Sequence, residues 1–129
     1  MSKAHALIID DNAKNVSVLA RLLSEEDVSN TQVMHPKQLE AALTVLPDIH
    51  LVFLDLEMPG SSGYEVLALL RADSRFDAVP IVAYTVHVSE INVALRHGFD
   101  SFLGKPIDPD KFPEQLKRLL NGDAVWETA

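Results

Sequence analysis

The sequence predicts an α/β domain: a doubly wound parallel sheet of five strands, with five helices packed on its two faces. Two observations predict this fold class. Short apolar runs alternate with segments in which apolar residues recur at helical spacing, and such alternation is typical of parallel sheets with helical crossovers. The chain of 129 residues also suits a single domain, and its 47% hydrophobic content is enough for a buried core.

The first three strands are predicted at the apolar runs 6–9, 31–34 and 51–54. A helix over about 12–24 follows the first strand, with one apolar face made of Val16, Leu19, Ala20 and Leu23. Pro36 opens the second helix, because proline is well tolerated in a first helical turn.

The next elements continue the alternation. Ser61-Ser62-Gly63 precedes a third helix, and Pro80 introduces the fourth strand at 81–84. Ser89 is expected to be the N-cap of a fourth helix, which Gly98 ends because glycine readily adopts the left-handed conformation there.

The fifth strand is predicted at 101–103 and is the weakest of the set by composition. Asp108 and Pro109 form a cap and first-turn pair for the fifth helix, and Gly122 stops that helix. We therefore expect one domain over residues 1–122 and a short C-terminal tail over 123–129.

Polar side chains follow four of the five predicted strands. Asp10 and Asp11 come after the first strand, Asp55 after the third, Thr85 after the fourth and Lys105 just beyond the fifth. In open parallel sheets, sites form outside the carboxyl ends of the strands, at the switch in strand order. We expect these acids, the hydroxyl and the amine to converge on one rim.

This set of side chains fits phosphoryl transfer to a carboxylate. Clustered carboxylates repel one another unless a cation lies among them, and oxygen ligands select a hard ion such as Mg²⁺. An aspartate can attack phosphorus as a nucleophile, and a metal, a lysine and a hydroxyl can neutralise charge in the transition state.

Composition excludes several other classes of function. The net charge of −8 argues against a nucleic-acid surface, which needs a basic patch. There is no cysteine, hence no disulfide framework or thiol chemistry. No apolar stretch approaches membrane-spanning length, and the N-terminus does not resemble a signal peptide. We expect a cytoplasmic protein with no membrane contact.

The chain resembles the receiver domain of two-component response regulators, in particular the single-domain, chemotaxis-regulator-like type. The resemblance covers about 4–120 and is carried by Asp10-Asp11, the segment 55–60 with Gly63, Thr85, and Lys105-Pro106. In this order, each at a strand end, the combination is specific. It implies a flavodoxin-like fold with strand order 2-1-3-4-5.

The resemblance also implies a phosphorylation site and a metal site. Asp55 would accept a phosphoryl group from a phosphohistidine. Asp11 would ligate Mg²⁺ directly, with Asp55, while Asp10 assists through water and the backbone carbonyl of Glu57 supplies a further ligand.

Three further residues receive roles by resemblance. Lys105 would pair with Asp55 and then with the phosphoryl oxygens, and the bond from Lys105 to Pro106 would be cis. Thr85 would donate to the phosphoryl group and move towards it. Phe102 would change rotamer as Thr85 moves, although an aromatic residue in a strand is more often part of a core.

Three side chains near the expected site are departures or variable positions. Val86 stands where the family usually has a small residue, and a branched side chain there could narrow access to Asp55. Glu57 and His87 flank the site at positions that vary within the family. We hypothesise that Val86, Glu57 and His87 set the rate at which phosphate is lost.

The expected partners are a sensor histidine kinase or phosphotransfer protein and a downstream protein. Output is expected through a surface formed by the fourth helix, fifth strand and fifth helix, through which a homodimer could also form. Direct nucleic-acid binding is not expected. The chain would catalyse only its own phosphorylation and dephosphorylation.

Two alternatives stay open from the sequence. One is a Mg²⁺-dependent phosphohydrolase with an aspartyl nucleophile, although the acid/base aspartate of that class is replaced here by Glu57. The other is a docking receiver that is rarely phosphorylated. Asp10 or Asp11 could also serve as an N-cap for the first helix.

Overall fold

A computed structural model describes residues 4–58 and 60–127, apart from the side chains of residues 36 and 61. Parallel strands form its central sheet: β1 (His5–Ile9), β2 (Ser29–Val33), β3 (Leu51–Asp55), β4 (Ile81–Thr85), β5 (Ser101–Gly104) and β6 (Trp126–Glu127). Their order across the sheet is β2-β1-β3-β4-β5-β6. The predicted order of the first five strands is confirmed. The sixth strand was not predicted.

Helices connect the strands and cover both faces of the sheet. They are α1 (Ala13–Glu25), α2 (Leu39–Val45), α3 (Gly63–Arg71), α4 (Ile91–His97) and α5 (Phe112–Leu120). Helices α1 and α5 contribute to one apolar cluster, and α2, α3 and α4 contribute to the cluster on the opposite face. The doubly wound α/β class is thereby confirmed.

The two central strands are buried, which explains why their sequences read as continuous apolar runs. Every residue of β3 and β4 is buried, because helices cover both of their faces. The edge strand β2 carries polar residues instead and is mostly exposed or half-buried. Burial of both faces makes Asp55 and Thr85 unusual, since each ends such a strand in a polar side chain.

Strand register aligns the carboxyl ends of the strands at one rim. Ile9 lies beside Leu54 in the β1–β3 pair, and Asp55 lies beside Tyr84 in the β3–β4 pair. Strand β1 lies between β2 and β3, so the connection from β1 to β2 and the connection from β2 to β3 run in opposite directions across the sheet. This is the switch in strand order at which ligand sites form.

The starts of two helices differ from prediction. Ser89 is not an N-cap: it lies in a 3₁₀ turn, Val88–Glu90, that precedes α4. Asp108 does not cap α5, since its carboxylate accepts the N–H of Asp110 in a turn at 2.9 Å. Helix α5 begins later, at Phe112. The side chain of Asp108 closes the turn before α5. The turn before α4 is closed by backbone groups, since the N–H of Glu90 donates to the His87 carbonyl at 3.0 Å.

Gly98 ends α4 as predicted, with φ of 99°.

None of the helices in residues 4–58 and 60–127 combines the length and apolar character needed to cross a membrane.

The predicted C-terminal tail contains the extra strand. Trp126 pairs with Phe102 and Glu127 with Leu103, so β6 adds to β5 in parallel. Helix α5 is the crossover between these two strands. Sequence reasoning missed β6 because a two-residue strand carries no readable alternation.

Candidate functional site

Four strand ends bring the predicted polar residues together. Asp10 follows β1, Asp55 ends β3, Thr85 ends β4 and Lys105 follows β5. Carboxylate oxygens of Asp10, Asp11 and Asp55 all lie within 4.8 Å of one another. Asp11 is exposed, whereas Asp10 and Asp55 are buried. The predicted convergence is therefore present, with one carboxylate facing solvent and two inside.

Asp10 is fully buried, and both of its carboxylate oxygens accept hydrogen bonds. Its Oδ1 accepts the backbone N–H of Asn12 at 3.0 Å. Its Oδ2 accepts from the Tyr84 hydroxyl and from Lys105 Nζ, the latter at 3.1 Å. The N-cap of α1 is Asn12, whose Oδ1 accepts the N–H of Asn15, so Asp10 and Asp11 do not cap that helix.

Lys105 supplies a buried positive charge to the two inner carboxylates. Its Nζ lies 3.1 Å from Asp10 Oδ2 and 3.5 Å from Asp55 Oδ1. The ammonium also lies 4.1 Å from the ring centroid of Tyr84, in cation–π contact. The Lys105–Pro106 peptide bond is cis, as predicted.

Asp55 has an altered proton affinity. Burial raises the pKa of its carboxyl group from 3.8 to about 7, against the opposing charge of Lys105 and with a further contribution from Asp10. The backbone N–H of Glu57 donates to Asp55 Oδ1 at 3.3 Å and favours the ionised form. With a pKa of about 7, this side chain is divided between its protonated and ionised forms near neutral pH.

Tyr84 belongs to the site but was not predicted to. It is buried in β4, and its hydroxyl donates to Asp10. Burial raises the pKa of Tyr84 well above its usual range, and the bond to Asp10 raises it further, so the phenol stays protonated. A clue was present in the sequence, because a buried tyrosine in an apolar strand needs a partner for its hydroxyl.

The two proposed switch residues are both buried. Thr85 Oγ1 accepts the backbone N–H of His87 at 3.1 Å. Phe102 lies in the apolar cluster on the α2, α3 and α4 side of the sheet. The side chains of Thr85 and Phe102 are 1% and 0% exposed, so either must displace neighbours in order to move.

The flanking residues form the outer wall of the site. His87 Nε2 lies 2.9 Å from Glu57 Oε2, which links the loop after β3 to the loop after β4. Val86 is 61% exposed, and Pro106 is exposed in the loop that follows β5. Val86 therefore points largely into solvent, and its bulk lies outside the buried carboxylate cluster.

Gly63 fixes the loop that carries Asp55. A Cβ atom at this position would lie 2.6 Å from the Asp55 carbonyl oxygen and 2.6 Å from Leu56 Cα. The N–H of Gly63 donates to the Leu56 carbonyl at 3.0 Å. Only glycine allows helix α3 to begin this close to the end of β3.

Comparisons with known proteins agree with this geometry. Residues 6–117 match the family model for the response regulator receiver domain. The two-component response regulator ORR5 of Oryza sativa subsp. japonica is 28% identical over 118 residues, which cover 90% of this chain and 88% of ORR5. ORR6 of the same plant is 28% identical over 122 residues, covering 92% and 72% of the two chains.

Solved structures show the same fold. The chemotaxis response regulator CheY4 of Vibrio cholerae superposes with a TM-score of 0.81 at 20% identity, covering 92% of this chain and 99% of CheY4. The receiver domain of the sensor histidine kinase PA1611 from Pseudomonas aeruginosa, with a magnesium ion coordinated in its active site cleft, has a TM-score of 0.79 at 22% identity and covers 93% and 99%. With its family match over most of its length and this shared fold, the chain belongs to the response regulator receiver domain family of two-component signalling.

Proposed function

We propose that this receiver is a phosphorylation switch in which Asp55 accepts a phosphoryl group from a phosphohistidine on a sensor histidine kinase or phosphotransfer protein. The main support for this proposal is that carboxylate oxygens of Asp10, Asp11 and Asp55 lie within 4.8 Å of one another. The ammonium of Lys105 lies beside two of these carboxylates. Two buried carboxylates at the ends of two neighbouring strands, held by one lysine, cost too much desolvation to serve as a helix cap or a loop anchor.

The proposed reaction uses the ionised form of Asp55. A carboxylate oxygen attacks phosphorus and forms an acyl phosphate bond as the phosphorus–nitrogen bond of the phosphohistidine breaks. The electron pair of that bond stays with the departing imidazole. Since burial raises the pKa of Asp55 to about 7, the site must supply positive charge to keep the nucleophile ionised.

Mg²⁺ fits the acidic group. Carboxylate oxygens of Asp10, Asp11 and Asp55 are hard ligands at a spacing that one cation can bridge, and Asp11 gives the group its solvent-facing side. We assign direct ligation to Asp11 and Asp55, a water-mediated role to Asp10, and a further ligand to the backbone carbonyl of Glu57. The ion, when bound, neutralises charge on the carboxylates and on the phosphoryl oxygens.

Lys105 and Thr85 would stabilise the phosphorylated state. Lys105 already lies 3.5 Å from Asp55 Oδ1 and can turn its Nζ towards a phosphoryl oxygen. Thr85 would release its contact with the His87 N–H and donate its hydroxyl to the phosphoryl group. Phe102 would change rotamer into the space that Thr85 leaves, and so carry the change from the rim to the far edge of the sheet.

The outer wall would set the lifetime of the phosphoryl group. Glu57 and His87 are linked across the entrance, and Val86 lies beside them. We propose that these three side chains govern the access of water to the acyl phosphate. Alanine at each position is expected to change the rate of phosphate loss from Asp55, and unchanged rates would remove this part of the proposal.

The output would be a changed protein-binding surface on α4, β5 and α5, which could also support a homodimer. No turnover of an external substrate is proposed, and no direct contact with nucleic acid or membrane. The net charge of −8 supports the exclusion of nucleic acid. We also propose a cytoplasmic location, where a histidine kinase or phosphotransfer protein would present its phosphohistidine.

Intact mass after incubation with acetyl phosphate and Mg²⁺ tests the proposal. The protein is expected to gain the mass of one phosphoryl group, and the Asp55→Asn variant is expected to gain none. Withholding Mg²⁺ should suppress the gain. Absence of any gain, together with no binding of a phosphate analogue, would favour the docking-receiver alternative, and steady turnover of a small phosphate ester would favour the phosphohydrolase.

A further inference from the structure

The C-terminal strand β6 occupies the edge of β5, which is part of the proposed output surface. It lies beyond residues 6–117, the part of the chain that matches the family. Resting on the function proposed above, we propose that Trp126–Glu127 is a built-in strap that covers the output surface in the unphosphorylated protein and leaves it when Asp55 is phosphorylated.

The strap is held by two different kinds of contact. Just before the strap, Val125 is fully buried, accepts the Phe102 N–H at 2.7 Å and donates its own N–H to Ser101 Oγ at 2.9 Å. Trp126 and Glu127, in contrast, are only half-buried. Because Val125 is buried and the two residues after it are only half-buried, the end of the chain can detach from β5 while Val125 stays in place.

Glu127 ties the strap to α5. Its Oε1 accepts from Gln115 Nε2 at 3.1 Å, and its Oε2 lies 3.0 Å from Arg118 Nη1. The Arg118 and Glu127 side chains are 41% and 36% exposed, so solvent weakens this ion pair. The contacts between Glu127 and helix α5 are therefore weak enough that a modest change in strand β5 can break them.

Phe102 connects the strap to the phosphorylation site. It pairs with Ala83 of β4 on one side and with Trp126 on the other. Trp126 also packs against the apolar cluster that contains Phe102. A change in the Phe102 rotamer, driven by Thr85 at the end of β4, would remove part of the surface on which Trp126 rests.

The experiment uses Trp126, the single tryptophan of the chain. The chain of 129 residues is treated with Mg²⁺ and acetyl phosphate while intact mass and tryptophan emission are recorded on the same sample. We expect emission to shift to longer wavelength and acrylamide quenching to increase as the phosphorylated fraction grows. Asp55→Asn under the same conditions should show neither change.

Two matched variants test the fastening of the strap. Arg118→Gln removes the partner of Glu127 and should shift Trp126 emission to longer wavelength before any phosphodonor is added. Lys117→Gln makes the same change of charge at the neighbouring exposed position of α5 and should leave the emission as it is. Equal emission from both variants would contradict the assigned contact and overturn the strap.

The remaining outcomes separate this inference from the proposed function. A gain of phosphoryl mass with unchanged tryptophan emission would overturn the strap and leave the phosphorylation switch standing. No gain in mass would contradict the switch, and the strap with it. Hydrogen exchange at the Phe102 amide should stay slow, since Val125 remains in place. Fast exchange there would mean loss of the whole sheet edge, which would also overturn the strap.

Discussion

The ammonium of Lys105 donates to Asp10 Oδ2 across 3.1 Å, joining the ends of β5 and β1 over the two strands that lie between them. The same ammonium lies 3.5 Å from Asp55 Oδ1, so one buried cation serves both inner carboxylates. Residues 95 positions apart in the chain thus form one electrostatic unit, which only the parallel sheet can assemble.

Replacing Lys105 should therefore destabilise the fold itself. In Lys105→Met the buried carboxylates lose their cation, and we expect a loss of about 3 kcal/mol in the free energy of unfolding, measured by urea denaturation without divalent metal. Mg²⁺ should recover part of this loss, because it neutralises the same oxygens. Lys117→Met, on the exposed face of α5, serves as the control and should change stability by less than about 0.5 kcal/mol.

Asp55→Asn should stabilise the metal-free protein at alkaline pH. The folded pKa of Asp55, about 7, lies above the ordinary value of 3.8, so the folded state binds the proton more tightly than the unfolded state does. Stability contributed by this group is complete below about pH 4 and is lost as pH rises through about 7. We expect the variant to gain on the order of 1–3 kcal/mol at pH 8.

The gain in Asp55→Asn should shrink towards pH 4, and denaturation in a chelating buffer across this range measures it. A gain that is independent of pH would mean that asparagine improves packing or hydrogen bonding instead, and would remove the titration of Asp55 as its cause.

Tyr84→Phe should cost more than Tyr64→Phe, and these are the two tyrosines of the chain. Removing the Tyr84 hydroxyl takes a donor from the fully buried carboxylate of Asp10, at an expected cost of about 2 kcal/mol. The Tyr64 hydroxyl donates to Glu90 Oε2 at 2.7 Å, where Glu90 is only half-buried, and its loss should cost about 1 kcal/mol or less. Thermal or urea unfolding of both variants gives the comparison, and equal losses would contradict the special position of Tyr84.

Gly63→Ala should disturb both stability and phosphorylation. The new methyl group would meet backbone atoms of Asp55 and Leu56 at 2.6 Å, so α3 or the end of β3 has to shift. We expect a loss of about 3 kcal/mol and slower gain of phosphoryl mass at Asp55.

Gly60→Ala is the matched control in the same loop. It has φ of 77° and open space around its Cβ position, so its cost should be limited to about 1 kcal/mol of backbone strain. If the two glycine variants behaved alike, the close approach at Gly63 would not be the determining feature.

The resemblance to receiver domains supplied the order of the first five strands, whereas the residue pattern by itself determined the doubly wound class and the residues at the strand ends. The pattern could do so because buried parallel strands read as continuous apolar runs, and a polar residue that ends such a run marks the rim. Asp10, Asp55, Thr85 and Lys105 were all identified in this way, and the resemblance to receiver domains added the cis bond before Pro106.

Only the tertiary structure decided how those residues interact. The donation from Tyr84 to Asp10 and the position of Lys105 between two carboxylates depend on side chains that converge from different strands, and spacing along the chain does not encode them. The tertiary structure also determines that strand β6 forms and that helix α5 starts later than predicted. In β6 the pairing of two residues is stabilised by the exposed edge of β5 and by Glu127 contacts with α5, which are long-range interactions rather than local preferences.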